Sequence, residues 1–309
     1  MNGLFINQEK ANCSIYESGL MIYNAIQSPF YKIDYMEISK KDMNIFNYTG
    51  YDFYIFNWHH NTLPISSDAL QKIGGLKIGI VLEVGPKEIK PYMNKDLFDA
   101  YIVIDPTKEK AGKFYPFPRP LEKIENLLPL LSDKPVFGIF GFLSPGKNFA
   151  EPIRIVAEMG IECIFRINIP EAANTGHFGS LSVISAYGKR LLSLGNNKID
   201  LRVTHDYMEK PELIRWCSQN SLNIFPYHRE VPGLSAVTDQ AIVANRGIAI
   251  TDCNTFRHLR PYISYYPEED FLSLTKSTLP GIRQMQIDWS NENFVLRFRE
   301  LLSEKLIGV

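Results

Sequence analysis

The sequence predicts an α/β protein built from two parallel-sheet, Rossmann-like domains, and three observations carry that expectation. Short β-rich runs alternate with helical patterns at the spacing of right-handed βαβ units, most clearly after residue 134. The runs "PVFGIF", "ECIFRINI" and "GIAIT" are apolar on both faces, as strands buried inside a parallel sheet must be. Between the two halves, "LLPLLSDKP" at 127–135 places a proline and an S-D-K turn before a fresh apolar strand, which reads as a linker.

In chain order, the first half supplies the strands "GLFIN", "YKIDYMEI", "YDFYIFNW", "LKIGIVLEV" and "FDAYIVIDP", with "ESGLMIYNAIQ" and "SSDALQKIG" as helices. "KFYPFPRPLE" holds too many prolines for a helix and is expected to be extended. The second half places strands at 135–140, 162–169, 199–204, 222–226 and 248–251, and helices near 149–159, 180–194, 210–219 and 236–246. The last segment, "WSNENFVLRFRELLSEKL", opens on a Ser290 or Asn291 cap and carries a helical stripe at Phe294, Val295, Phe298, Leu301 and Leu302. That stripe needs a partner surface. The expected organisation is therefore an N-terminal domain over 1–127, a second over 134–285, and a C-terminal helix in 286–309 that crosses back to the first, with the carboxyl ends of the two sheets facing across a cleft.

Composition removes several function classes. A net charge of -1 and a pI near 6.6 provide no basic field for nucleic acid, so no nucleic-acid partner is expected. The four cysteines, Cys13, Cys163, Cys217 and Cys253, have no C-x-x-C spacing and read as reduced thiols rather than a disulfide frame or zinc site. The start, "MNGLFINQEK", lacks the features of a signal peptide, and no run reaches the roughly 18 apolar residues that span a bilayer. The expectation is a cytoplasmic protein whose membrane association is at most peripheral.

Chemistry should reside in the loops at the strand ends. "GFLSPGKN" runs from an apolar strand into a helix, so Gly141 to Asn148 offer free N–H groups and a helix dipole to an anion, and Lys147 adds a full charge. The same spacing also fits a solvated lysine in a surface turn. It matches neither G-x-G-x-x-G nor G-x-x-x-x-G-K-[ST], and no dinucleotide fingerprint follows the first strand. "VPGLS" makes a second such turn, with Ser235 as N-cap, or else a capped turn with nothing bound. Two turns of this kind in one sheet favour a phosphate-bearing ligand. In the first half, Glu17, Ser18 and Gly19 lie where the first strand passes into its helix. His59 and His60 lie at another strand end, but adjacent residues without a third ligand do not suit a metal.

"GFLSPGKNF" and "VPGLSAVTDQAIVANRGIAIT" resemble the donor-binding turns of retaining nucleotide-sugar glycosyltransferases with the GT-B fold, in a family 4-like bacterial branch. The likeness extends more weakly to "YDFYIFNWHHNT", "FRINIP", "THDYM" and "DCNTFRHL". It implies transfer of a sugar from a nucleotide-diphosphate sugar to a saccharide, glycolipid or other hydroxyl acceptor, with no cofactor and no metal. It also implies a donor diphosphate held by Gly141, Ser144, Lys147, Gly233, Leu234 and Ser235. Phe142 stands where the family carries an arginine, a loss that Arg166, late in the neighbouring strand, is expected to replace unless it is merely ion-paired there. Pro232 and Gln240 stand where the family has two glutamates, and Glu230 lies two residues early. The nucleoside is expected near His205, Asp206, Tyr227 and Gln240, with His205 equally suited to a plain loop hydrogen bond. Glu83 takes the place of a catalytic His or Asp, and Glu17 and His60 are further catalytic candidates. With the arginine and the paired glutamates absent, a catalytically inactive nucleotide-sugar-binding subunit is the alternative.

Overall fold

A computed structural model of the chain describes residues 1–9, 14–42, 49–59, 61–82, 96–144, 146–170, 185–186, 188–190, 198–228 and 233–307. It divides into two compact units, one of Met1–Glu122, Pro232–Leu234 and Ile287–Val309, the other of Lys123–Val231 and Ser235–Gln286.

The first unit holds β1 (Asn2–Gln8), α1 (Ser14–Ala25), β2 (Lys32–Ile38), β3 (Phe53–Phe56), α2 (Ser67–Gln71), β4 (Leu76–Val81), β5 (Ala100–Ile104) and β6 (Phe114–Phe117). All pairings are parallel, in the order β2-β1-β3-β4-β5-β6. The proline-rich run thus forms an extended edge strand, where Pro116 removes no interior ladder bond. Strands β3, β4 and β5 are buried along almost their whole length, which explains their continuous apolar character.

The second unit holds β7 (Val136–Phe140), α3 (Ala150–Glu158), β8 (Cys163–Asn168), β9 (Ile199–Thr204), α4 (Lys210–Ser218), β10 (Leu222–Phe225), α5 (Val237–Val243) and β11 (Gly247–Ile250). Its sheet is parallel in the order β11-β10-β7-β8-β9. The helix expected over 180–194 lies mostly outside the described residues. Two further helices, α6 (Phe271–Ser277) and α7 (Leu279–Asp288), go beyond the sequence reading. Asp270 starts α6 by accepting from Leu272 N and Ser273 N at 2.8 and 3.0 Å.

The final helix, α8 (Asn291–Leu302), is capped by Ser290, whose Oγ accepts from Asn293 N at 3.3 Å. It returns to the first sheet as expected: Phe294, Phe298, Leu301 and Leu302 are buried in one core with Phe5, Phe53, Ile78 and Phe117. Val295 is only half-buried. Just beyond the helix, Glu304 accepts from Lys110 Nζ at 2.5 Å and from Tyr115 Oη at 2.6 Å.

Candidate functional site

Strand order fixes where each sheet opens. In the second unit the chain proceeds β7, β8, β9 in one direction and then returns with β10 and β11 on the other side of β7. The loops after β7 and β10 therefore diverge at a topological switch point, the place where open parallel sheets leave room for a ligand.

The residues expected to bind an anion meet there. Gly141 takes φ +127°, which a side chain would strain, and a β-carbon on it would lie 3.4 Å from Lys147 Nζ and 3.7 Å from both Tyr227 Oη and Val237 Cγ2. Lys147 Nζ donates to Phe142 O at 2.7 Å and lies 5.5 Å from the centroid of the Tyr227 ring. The turn is fixed from both sides. His228 N donates to Gly146 O at 2.7 Å, and Glu151 in the first turn of α3 takes hydrogen bonds from Asn148 Nδ2 and, at 3.0 Å, from His228 Nε2. Ser144 Oγ is buried and has no hydrogen-bond partner among the described residues.

Other expectations are corrected by the contacts. Tyr227 is fully buried, packed at 5.1 Å against Phe256, so its ring supports Lys147 and offers no face to a nucleoside. Arg166 stands opposite Gly138 in mid-strand, and its guanidinium turns to the C-terminal end of α4 instead of to the Gly141 turn. It donates to Trp216 O at 3.2 Å and Asn220 Oδ1 at 2.8 Å and lies 4.4 Å from the Trp216 ring centroid, satisfying carbonyls at the negative end of that helix. Burial lowers its pKa to about 10. Ser235 is not the N-cap of α5. Ala236 occupies that position without a side-chain bond, and Ser235 N donates to Thr255 O at 3.1 Å. Gly233 and Leu234, half-buried, precede it. With its amide nitrogen turned inward, Gln240 donates to Val237 O and Ala236 O at 2.9 Å and is thereby committed to its own helix.

His205 and Asp206 follow β9 at the same edge. His205 Nδ1 lies 3.1 Å from Ile169 O, while the backbone of Asp206 is engaged by Asn168: Asp206 N donates to Asn168 Oδ1 at 3.1 Å and Asn168 Nδ2 donates to Asp206 O at 3.0 Å. Both backbone groups of Asp206, a residue expected near the nucleoside, are therefore used internally. Two aromatic residues that the sequence reading did not assign to the nucleoside flank this loop, Phe142 and Tyr207, with ring centroids 6.5 Å apart and planes 25° from parallel. Only the pairing of distant loops by the fold reveals them.

In the first unit the corresponding switch point lies between β1 and β3. Asn57 Nδ2 donates to Asn7 Oδ1 at 2.7 Å and to Ile15 O at 2.8 Å, and Asn7 Nδ2 donates to Tyr16 O at 3.1 Å, so two buried amides clamp the start of α1. Gly19 permits this approach, since a β-carbon there would fall 2.3 Å from Asn57 Nδ2. Glu17 is half-buried in the first turn of α1. Beside it, the buried Arg119 donates to Ser18 Oγ at 3.2 Å. Glu83 and His60 lie outside the described residues, as do Glu230 and Pro232.

Two tandem units with parallel sheets and a C-terminal helix returned to the first make up a GT-B-like fold. Among solved structures, the chain is similar to Anabaena HepE in complex with UDP-glucose, with a TM-score of 0.65, 11% identity and coverage of 98% of this chain and 99% of that one. It is similar also to sucrose-phosphate synthase from Thermosynechococcus elongatus, with a TM-score of 0.67, 11% identity and full coverage of both chains, 100% each. The pneumococcal O-GlcNAc transferase GtfA, solved with UDP and GlcNAc, aligns with a TM-score of 0.53 and 12% identity over 82% of this chain and 56% of that one. By sequence the chain matches no protein-family model and no curated protein.

Proposed function

We propose that the chain is a metal-independent, retaining glycosyltransferase that moves a sugar from a nucleotide-diphosphate sugar to a hydroxyl acceptor, such as a saccharide or glycolipid. The observation that carries the reading is the convergence of Gly141, Lys147 and the start of α5 at the switch point of the second sheet. In such a transfer the bond from the anomeric carbon to the diphosphate breaks, a bond to the acceptor oxygen forms, and the acceptor proton departs. Negative charge grows on the leaving diphosphate. A lysine fixed in advance at that position stabilises the transition state more than the ground state. Lys147 Nζ, Ser144 Oγ and the amides of Phe142, Leu143 and Ser144 are the proposed diphosphate ligands, since the amides of Gly141 and Lys147 already donate to Asn168 O and Ser144 O. Glu83, Glu17 and His60 are the proposed first-unit groups acting on sugar and acceptor.

Incubation with UDP-, GDP-, ADP- and TDP-sugars tests this, read first as a thermal shift and then as release of the nucleoside diphosphate. Stabilisation by one donor class followed by acceptor-dependent release supports the reading, and no stabilisation by any of them contradicts it. A second reading, a nucleotide-sugar-binding subunit without turnover, is favoured by Phe142 standing in the arginine position while Arg166 is committed to α4. Tight donor binding with no release for any acceptor separates the two.

A further inference from the structure

Lys147 Nζ donates to the carbonyl of Phe142, so one residue joins the positive charge to an aromatic ring. That ring lies 25° from parallel with Tyr207, whose side chain belongs to a residue 40% exposed at the carboxyl edge. Both rings are held by a common support. Asn168, 2% exposed at the end of β8, accepts from Gly141 N through its main-chain oxygen at 3.1 Å and grips both backbone groups of Asp206 with its side chain. Thr204 Oγ1, donating to Asn168 Oδ1 at 2.9 Å, fixes that amide in turn. Phe142 and Tyr207 are thus each one residue beyond an anchor on the same asparagine, and their near-parallel setting is built into the strand end.

We infer that Phe142 and Tyr207 form the surface on which the nucleobase stacks. The inference rests on reading this edge as a nucleotide site, and it assigns the base-binding part to residues other than the buried Tyr227. A nucleoside diphosphate has an anionic end and a planar end. Here the lysine bonds to the carbonyl of Phe142, and the ring of that same residue faces Tyr207, so an anionic end and a planar end each find a matching group within one loop pair. Stacking suits this task because every base presents a π-face.

Calorimetric titration with UDP, GDP, ADP and inorganic pyrophosphate tests the assignment on the full chain, using the wild type, Tyr207→Ala, Tyr207→Phe, Phe142→Ala and Lys147→Ala. Tyr207→Ala is expected to weaken the tightest-binding nucleoside diphosphate about five- to hundredfold, the span for one base–aromatic stack, while pyrophosphate affinity stays at the wild-type value. Tyr207→Phe, which keeps the ring, is expected to bind as the wild type does. Phe142→Ala should act like Tyr207→Ala, with its far-ultraviolet circular dichroism unchanged. Lys147→Ala should lose affinity for nucleotide and pyrophosphate alike. Unchanged nucleotide affinity in Tyr207→Ala, or equal loss of pyrophosphate, overturns the stacking assignment while leaving the nucleotide site standing. A wild-type protein that binds none of the four ligands overturns the nucleotide reading, and the assignment with it.

Discussion

Lys147 Nζ is held over the ring of Tyr227 at 5.5 Å while donating to Phe142 O at 2.7 Å. The ammonium is therefore fixed at the mouth of the β7 turn before any ligand arrives. Tyr227 is itself fixed: Thr251 Oγ1 donates to its carbonyl at 2.5 Å, and its ring is buried. A cation so restrained loses little freedom on binding an anion, which is what a site for a leaving diphosphate requires.

The first prediction follows from that arrangement. Lys147→Ala should lower affinity for a nucleoside diphosphate by ~1.5–3 kcal/mol, the range for a hydrogen bond to a charged group, with little change in the unfolding midpoint. Calorimetry alongside urea unfolding checks both. Unchanged affinity would remove the lysine from the site.

Arg166 should behave in the opposite way. Its bonds go to Trp216 O and Asn220 Oδ1, so Arg166→Ala should destabilise the second unit by about 1–3 kcal/mol and leave nucleotide affinity near the wild-type value. Denaturant titration with and without nucleotide distinguishes the outcomes. Loss of affinity without loss of stability would restore the expectation that Arg166 replaces the arginine absent at Phe142.

These two residues also show what the sequence makes legible. Lys147 stands in a turn between an apolar strand and a helix, and that local pattern suffices to place it at a carboxyl edge. Arg166 sits in a strand whose alternation places it on a face, but what covers that face is α4, some fifty residues later in the chain. The same limit hides the pairing of Phe142 with Tyr207. The two sheets and the returning helix were readable from periodicity, because burial on both strand faces and a five-residue apolar stripe leave few alternatives. Tyr227 illustrates the remaining ambiguity, since a tyrosine at a strand end serves equally as ligand platform or as core, and only Phe256 and Lys147 packed on its ring decide between them.

Acid should loosen the junction of the last helix with the first sheet. Hydrogen bonds from Lys110 and Tyr115 hold the Glu304 carboxyl below its ordinary range. A depressed carboxylate contributes stability that is complete above its unfolded pKa, near 4.5, and is lost as pH falls through the lower folded value. Glu304 is solvent-exposed, so the effect is small and salt-sensitive. The thermal midpoint of Glu304→Gln should lie slightly below that of the wild type at pH 7, and the difference should shrink as pH falls below 4.5 and vanish once pH is below the lower folded pKa. A difference that persists or grows in acid would show that the ion pair is not its source.

The β7 turn of the second unit is the proposed seat of a nucleotide's diphosphate. A crystal structure of the chain grown with the nucleoside diphosphate that gives the largest thermal shift tests it most directly. Diphosphate density is expected against Lys147 Nζ and the backbone of the Gly141 turn. Diphosphate bound elsewhere, with the Lys147–Phe142 O hydrogen bond unchanged, would contradict it.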